Sequence, residues 1–264
     1  MKRLVLALLS LLILAAPASA LIGGRHLTGS PDVVRLVFTN GWVCTGTFID
    51  PYTILTAAHC LSSGDNAEPI QIKAILSVGD QEIGVRQTEI FIHPEFASQS
   101  WPAFDVGLLK TSRYANFSHQ FNLDLSSTPT IGTAKIFGCG KTDLTSGRRE
   151  RKSGDNKYLK IGSVVFFLGG ASGESANIAP NDSGGPITES STGEIIAVAT
   201  TTTAIESKSL GLPILSTGTS VAAPENRLLS MPCARRLLRR YAVGMHGARG
   251  AENYRIQVRK RLPR

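Results

Sequence analysis

No stretch of this 264-residue chain is apolar for long enough to cross a bilayer as a helix. The N-terminal run, residues 4–16, falls short of the roughly 20 residues that a spanning helix needs. It follows Lys2 and Arg3 and precedes Ala18-Ser19-Ala20, a small-x-small triplet, so residues 1–20 read as a secretory signal peptide. The expected location is therefore secreted or periplasmic. Cysteine is scarce as well: there are four, at positions 44, 60, 139 and 233, and none stands in C-x-x-C spacing. That sets a zinc site far behind, and export opens an oxidising setting in which disulfides persist. Nothing in the chain calls for a metal or an organic cofactor.

Excess positive charge is lacking from most of the chain, although the formal total is +8. Residues 21–234 carry 16 Lys and Arg against 19 Asp and Glu, whereas residues 235–264 carry ten basic residues against Glu252 alone. The basicity thus belongs to an Arg-rich C-terminal extension. Residues 235–241 have the pattern of a short basic amphipathic helix that the glycines of residues 244–250 would break. A tether to anionic lipid, cell-wall polymer or nucleic acid is one reading. A solvated, poorly ordered extension is the favoured one, with no specific nucleic-acid partner expected and anionic surfaces as the tail's candidate contact. The smaller basic run at residues 148–152 lies among Ser, Gly and Asp and reads as an exposed loop.

What the body does contain is short apolar, β-branched runs at residues 33–38, 43–49, 70–78, 89–93, 134–137, 159–168 and 195–203, separated by Gly, Pro, Asn, Asp and Ser clusters. That cadence predicts an all-β body, and the 214 residues from 21 to 234 exceed one ordinary domain.

Chemistry concentrates in Asn181-Asp182-Ser183-Gly184-Gly185-Pro186. Glycines beside a hydroxyl let the backbone take positive φ and approach a ligand closely, so the N–H groups of Asn181 and Ser183 can converge on one oxyanion. A serine needs a histidine to take its proton and a carboxylate to orient that histidine. His59, in Leu55-Thr56-Ala57-Ala58-His59-Cys60, and Asp105, in Asp105-Val106-Gly107-Leu108-Leu109-Lys110, supply both. In order, spacing and flanking residues the three segments resemble the trypsin/chymotrypsin-like serine proteases, densely around the motifs and thinly between them, from Leu21 to about Leu229.

The resemblance implies two packed six-stranded antiparallel β-barrels, about 21–125 and 126–234, closed by a short C-terminal helix. It implies Ser183 as nucleophile, His59 as base and then acid, and Asp105 as the histidine's partner. It pairs Cys44 with Cys60 and leaves Cys139, where the family usually has tryptophan, and Cys233 over; whether those two pair stays open. Polypeptide substrates and a protein inhibitor are the implied partners. Asn177 falls at the floor of the specificity pocket and Thr200, Thr201 and Thr202 on its wall, with Thr200 also in place of a serine that buttresses the catalytic aspartate. Ala179 takes the place of one cysteine of a bridge beside that pocket. With no carboxylate at Asn177, a neutral preference follows. Finally, Leu21-Ile22-Gly23-Gly24 directly after Ala18-Ser19-Ala20 implies that signal-peptide removal frees a Leu21 amine to pair with Asp182.

One departure and a second serine motif keep alternatives open. Asn181 replaces the family's usual glycine beside the nucleophile, where a side chain can crowd the oxyanion. A protease-shaped protein that only binds is therefore retained as the second class. Gly218-Thr219-Ser220-Val221-Ala222-Ala223-Pro224 also looks like the nucleophile segment of subtilisin-like proteases, but their aspartate and histidine motifs are missing upstream. The simpler reading is a turn before a helix at residues 224–229.

Overall fold

The computed structural model describes residues 21, 23–27, 30, 32–38, 41–62, 72–76, 82–83, 85–96, 104–111, 117–123, 129–140, 151–167, 175–203 and 215–221. The expected signal peptide, the helix at 224–229, Cys233 and the basic tail lie outside them. Among the described residues no helix is long and apolar enough to cross a membrane.

Among the described residues, fourteen strands and one helical turn follow in chain order: β1 (Arg25–His26), β2 (Val33–Phe38), β3 (Val43–Asp50), β4 (Thr53–Thr56), α1 (Ala58–Leu61), β5 (Ile72–Leu76), β6 (Glu82–Ile83), β7 (Val85–Ile92), β8 (Gly107–Thr111), β9 (Ile131–Gly138), β10 (Lys152–Ile161), β11 (Val164–Phe167), β12 (Pro186–Glu189), β13 (Ile195–Thr203) and β14 (Leu215–Ser220). They form two antiparallel sheets. The first runs β6-β5-β2-β3-β4-β8-β7. The second runs β1-β10-β11-β14-β13-β12-β9, and β9 pairs back onto β10, so six strands close into a barrel with β1 added at β10. Each has its own core, Val34, Leu36, Phe48, Ile54, Leu61 and Leu109 in the first and Ile136, Tyr158, Val165, Phe167, Ile187 and Ile196 in the second.

Alternation explains most strands and fails instructively at two. Strand β3 is buried from Val43 to Phe48 on both faces. Cys44 and Phe48 join the first core, while Thr45 and Thr47, pointing the other way by the two-residue period of a strand, present buried hydroxyls. Strand β10 contradicts its sequence, because Lys152-Ser153-Gly154-Asp155-Asn156 has no apolar alternation. Eight consecutive pairs to β9, from Lys152↔Gly138 to Leu159↔Ile131, impose it instead. The expected single run at 159–168 is two strands folded back at Gly162, φ 57°, with Ile161 opposite Val164.

The basic run at 148–152 also departs from the exposed loop expected of it. Its end, Arg151, donates to the carbonyls of Ser30, Val33 and Leu27, and Lys152 is buried at the start of β10. Side-chain tethers of this kind recur at Asp32, whose fully buried carboxylate accepts from Ser118 N, Ser118 Oγ and Gln120 N, each at 2.9 Å. This fixes the segment at 117–123 that leads into the second sheet. Asp32→Ala removes the acceptor from three donors, so we expect a loss of about 3 kcal/mol in denaturant unfolding, with Asp32→Asn recovering part of it. A midpoint unchanged by Asp32→Ala would show that solvent satisfies these groups.

Candidate active site

His59 sits in the single turn α1, directly after β4, and its partner chain segment reaches it from the start of β8. The backbone N–H of His59 donates to Asp105 Oδ1 at 2.8 Å and its Nδ1 lies 2.6 Å from Asp105 Oδ2. Two bonds to one carboxylate fix the ring's position and put the proton on Nδ1, leaving Nε2 as the basic nitrogen. Asp105 is fully buried and the His59 side chain keeps 28% exposure. Burial pulls the histidine pKa down, but the charge and hydrogen bond of Asp105 together outweigh it, and the net shift is upward. Cys60, next in the turn, is bonded to Cys44 of β3, as the resemblance implied. With both sulfurs in that disulfide, the Cys44, His59 and Cys60 cluster offers no thiolate to a metal.

Ser183 lies on the loop before β12, where its hydroxyl donates to Thr200 O at 3.3 Å. The loop's peptides are pinned by their carbonyls. Ser183 O accepts from Thr45 N at 2.8 Å, Asp182 O from Gly185 N at 2.9 Å, and Pro180 O stands against Gly140. Asn181 has φ 76°, within the left-handed region that asparagine tolerates. Gly184, φ 83°, cannot be replaced: a Cβ there would stand 2.0 Å from Thr56 Oγ1 and 2.3 Å from Thr45 O. The glycine in this motif is what lets the loop lie against the first sheet.

Asp182 points inward and is fully buried. Its Oδ1 accepts from Gly140 N at 2.7 Å and its Oδ2 from Ala179 N at 2.8 Å. Any side chain at Gly138 or Gly140 would collide with this carboxylate, at 2.0 and 2.5 Å. Burial raises the Asp182 pKa to about 7, opposed by hydrogen bonds from the backbone of Ala179, Gly140 and Leu21 and by the charge of Lys152. Leu21, itself fully buried in the second core, brings its backbone nitrogen to this carboxylate. Lys152 was not anticipated. It lies directly across from Gly138 on β10, on the same face as the carboxylate, and no local sequence signal marks it.

The remaining expectations distribute unevenly. Asn177 is fully buried, with Asn156 Nδ2 at 3.4 Å from its Oδ1. Thr201 and Thr202 continue β13, paired with Thr217 and Ser216. Thr200 Oγ1 lies 2.8 Å from Thr219 Oγ1 and donates to Val198 O at 3.4 Å, bonds within the second sheet. Ser220 is fully buried in β14, opposite Ala197, and no substrate reaches it; the subtilisin-like alternative falls. Cys139 is a free, buried thiol whose pKa burial pushes up to about 12, which makes it inert. Thr45 is the residue the sequence reading passed over, and the Asn181 side chain, read there as crowding, donates to Val43 O.

Comparison with known proteins agrees with this arrangement. The sequence pattern of the Trypsin family matches residues 22–220. Snake venom serine protease 3 of Protobothrops jerdonii is 33% identical over 135 residues, covering 48% of this chain and 52% of that protein. The thrombin-like enzyme contortrixobin of Agkistrodon contortrix contortrix is 34% identical over 112 residues, 41% of this chain and 47% of its own. The chain therefore spans about half the length of these curated relatives. A solved Glu endopeptidase superposes with a TM-score of 0.60 at 14% identity, covering 84% of this chain and 97% of that one, a likeness of fold. With the family pattern running from the N-terminal edge of the second core to the end of β14, the chain belongs to the Trypsin family of serine proteases.

Proposed function

We propose that this protein is an exported serine endopeptidase that cleaves peptide bonds through an acyl-enzyme. The observation that supports this most directly is His59 held by two hydrogen bonds on a buried Asp105, with the Ser183 loop pinned to the neighbouring strand β3. Ser183 attacks the carbonyl carbon as His59 Nε2 takes its proton, and the Asn181 and Ser183 N–H groups stabilise the oxyanion. His59 then protonates the leaving amine, and water repeats the sequence to release the acid. Polypeptides are the substrates, a protein inhibitor is a natural partner, and the basic tail is a contact for anionic surfaces. A fluorophosphonate probe followed by peptide mapping tests the reading. Label on Ser183 supports it, whereas a folded protein that takes no label is a binding homologue.

Specificity follows from Asn177. No carboxylate stands at that position, and an unpaired buried cation is costly. A peptide-library digest should therefore show cuts after neutral residues, with Lys and Arg disfavoured by about tenfold or more. A digest dominated by cuts after Lys or Arg would overturn the placement of Asn177 in the pocket.

A further inference from the structure

The residue that departs from the family beside the nucleophile is clamped at both ends by one strand. Asn181 O accepts from Thr45 Oγ1 at 3.0 Å, and Asn181 Nδ2 donates to Val43 O at 2.9 Å. Val43 and Thr45 are two apart on β3 and so face the same way. Thr45 does more than this one bond. Its Oγ1 also accepts from Cys139 N at 2.9 Å, its N–H donates to Ser183 O at 2.8 Å, and its carbonyl accepts from Thr56 Oγ1 at 2.8 Å. A hydroxyl has one proton. Because the Cys139 amide can only donate, that proton must go to Asn181 O, and the direction of the clamp is settled.

From this geometry we infer that Thr45 and the Asn181 side chain are positioning residues for the oxyanion donors, an inference that rests on Ser183 being the nucleophile. The peptide between Asn181 and Asp182 is held on both sides, its carbonyl by Thr45 and its N–H by Ala179 O at 3.0 Å. With that plane fixed and the side chain tied to Val43, Asn181 is held at φ 76°, and its N–H can take only one direction. Glycine reaches the same φ without strain but ranges over many others. The asparagine therefore does not crowd the oxyanion site; it replaces a permissive residue by a tethered one. Thr56 stands three residues before His59, so the same threonine also sets the spacing between the base's segment and the nucleophile's loop.

The test uses the full-length chain, exported with its own leader, as wild type and as Asn181→Gly, Thr45→Val and Thr45→Ser. Asn181→Gly installs the family's usual residue, yet kcat should fall about tenfold with KM within about twofold, because the interaction acts on the transition state. Thr45→Val strands two buried polar groups and should fall by at least as much, with Thr45→Ser restoring most of the rate. Amide exchange across residues 179–185 should rise in Asn181→Gly and Thr45→Val and stay near wild type in Thr45→Ser. Should Thr45→Val not fold, Asn181→Gly and Thr45→Ser still decide. An Asn181→Gly enzyme with wild-type kcat and wild-type exchange overturns the inference. If wild type takes no fluorophosphonate but exchange still rises in the variants, the clamp stands and the proposed activity is what fails.

Discussion

Ser183→Ala will reduce kcat by on the order of 10⁶ while leaving the fold intact. The Ser183 hydroxyl makes a single described hydrogen bond, to Thr200 O at 3.3 Å, so its loss costs stability little. Far-UV circular dichroism and the unfolding midpoint should match wild type. His59→Ala should be nearly as damaging, and the double variant no worse, because residues that act as one unit give non-additive losses. Asp105→Asn is the more informative change. It keeps the shape but exchanges an acceptor for a group that cannot hold His59 in the same tautomer, and a loss of about 10⁴ is expected. It also removes the charge that, together with the Asp105 hydrogen bond, outweighs burial at His59, so the acid limb of kcat/KM should move to lower pH. The linkage has the same root: His59 is raised, so its paired, protonated form adds stability below the unfolded value of about 6.5 and loses it as pH rises through the folded one. Wild-type turnover in Ser183→Ala, on any substrate the protein cleaves, would remove the serine from the mechanism.

How much of this was legible in the sequence depends on the range of the interaction that decides each feature. Strands β2 and β13 were read at their observed bounds because their β-branched runs stand alone. Strand β10 was half lost, since its first residues are polar and only the pairing to β9 makes them a strand. Short strands β4, β8 and β12, four to five residues each, offer too little pattern to register. Within the candidate site, His59, Asp105 and Ser183 were singled out through the residues flanking each. Thr45 and Val43 were not, because their partner Asn181 is 136 and 138 positions away and nothing local records the contact. Arg151 was misjudged for the same reason: a basic residue among polar neighbours looks solvated until the carbonyls of residues 27, 30 and 33 are brought against it. Asparagine at 181 looked like an obstruction from sequence, and became a tether once β3 was beside it.

A chain carrying one extra residue before Leu21 should be at least about 100-fold less active than one beginning at Leu21. The expectation starts from Asp182, a fully buried carboxylate that the amides of Gly140, Ala179 and Leu21 and the charge of Lys152 leave at a pKa of about 7. Each unit of that rise marks about 1.4 kcal/mol of unmet stabilisation for the charged form. While the peptide bond before Leu21 persists, its nitrogen offers only a neutral N–H. Cutting that bond turns the nitrogen into a cation beside the carboxylate. That change favours the ordered Asp182 loop, on which the proposed oxyanion donors lie. Because the pairing raises the amine above its unfolded pKa of about 7.7 to 8.0, its contribution is complete below that value and fades as pH rises through the folded one. The Leu21-initiated protein should therefore lose activity on an alkaline limb that the extended one lacks, and Asp182→Asn should depress turnover far more than it lowers the unfolding midpoint. N-terminal sequencing of the exported protein, activity of both forms across pH, and mass spectrometry to show the extension intact make the measurement. Equal activity of the intact extended form would rule the pairing out as the step that organises the site.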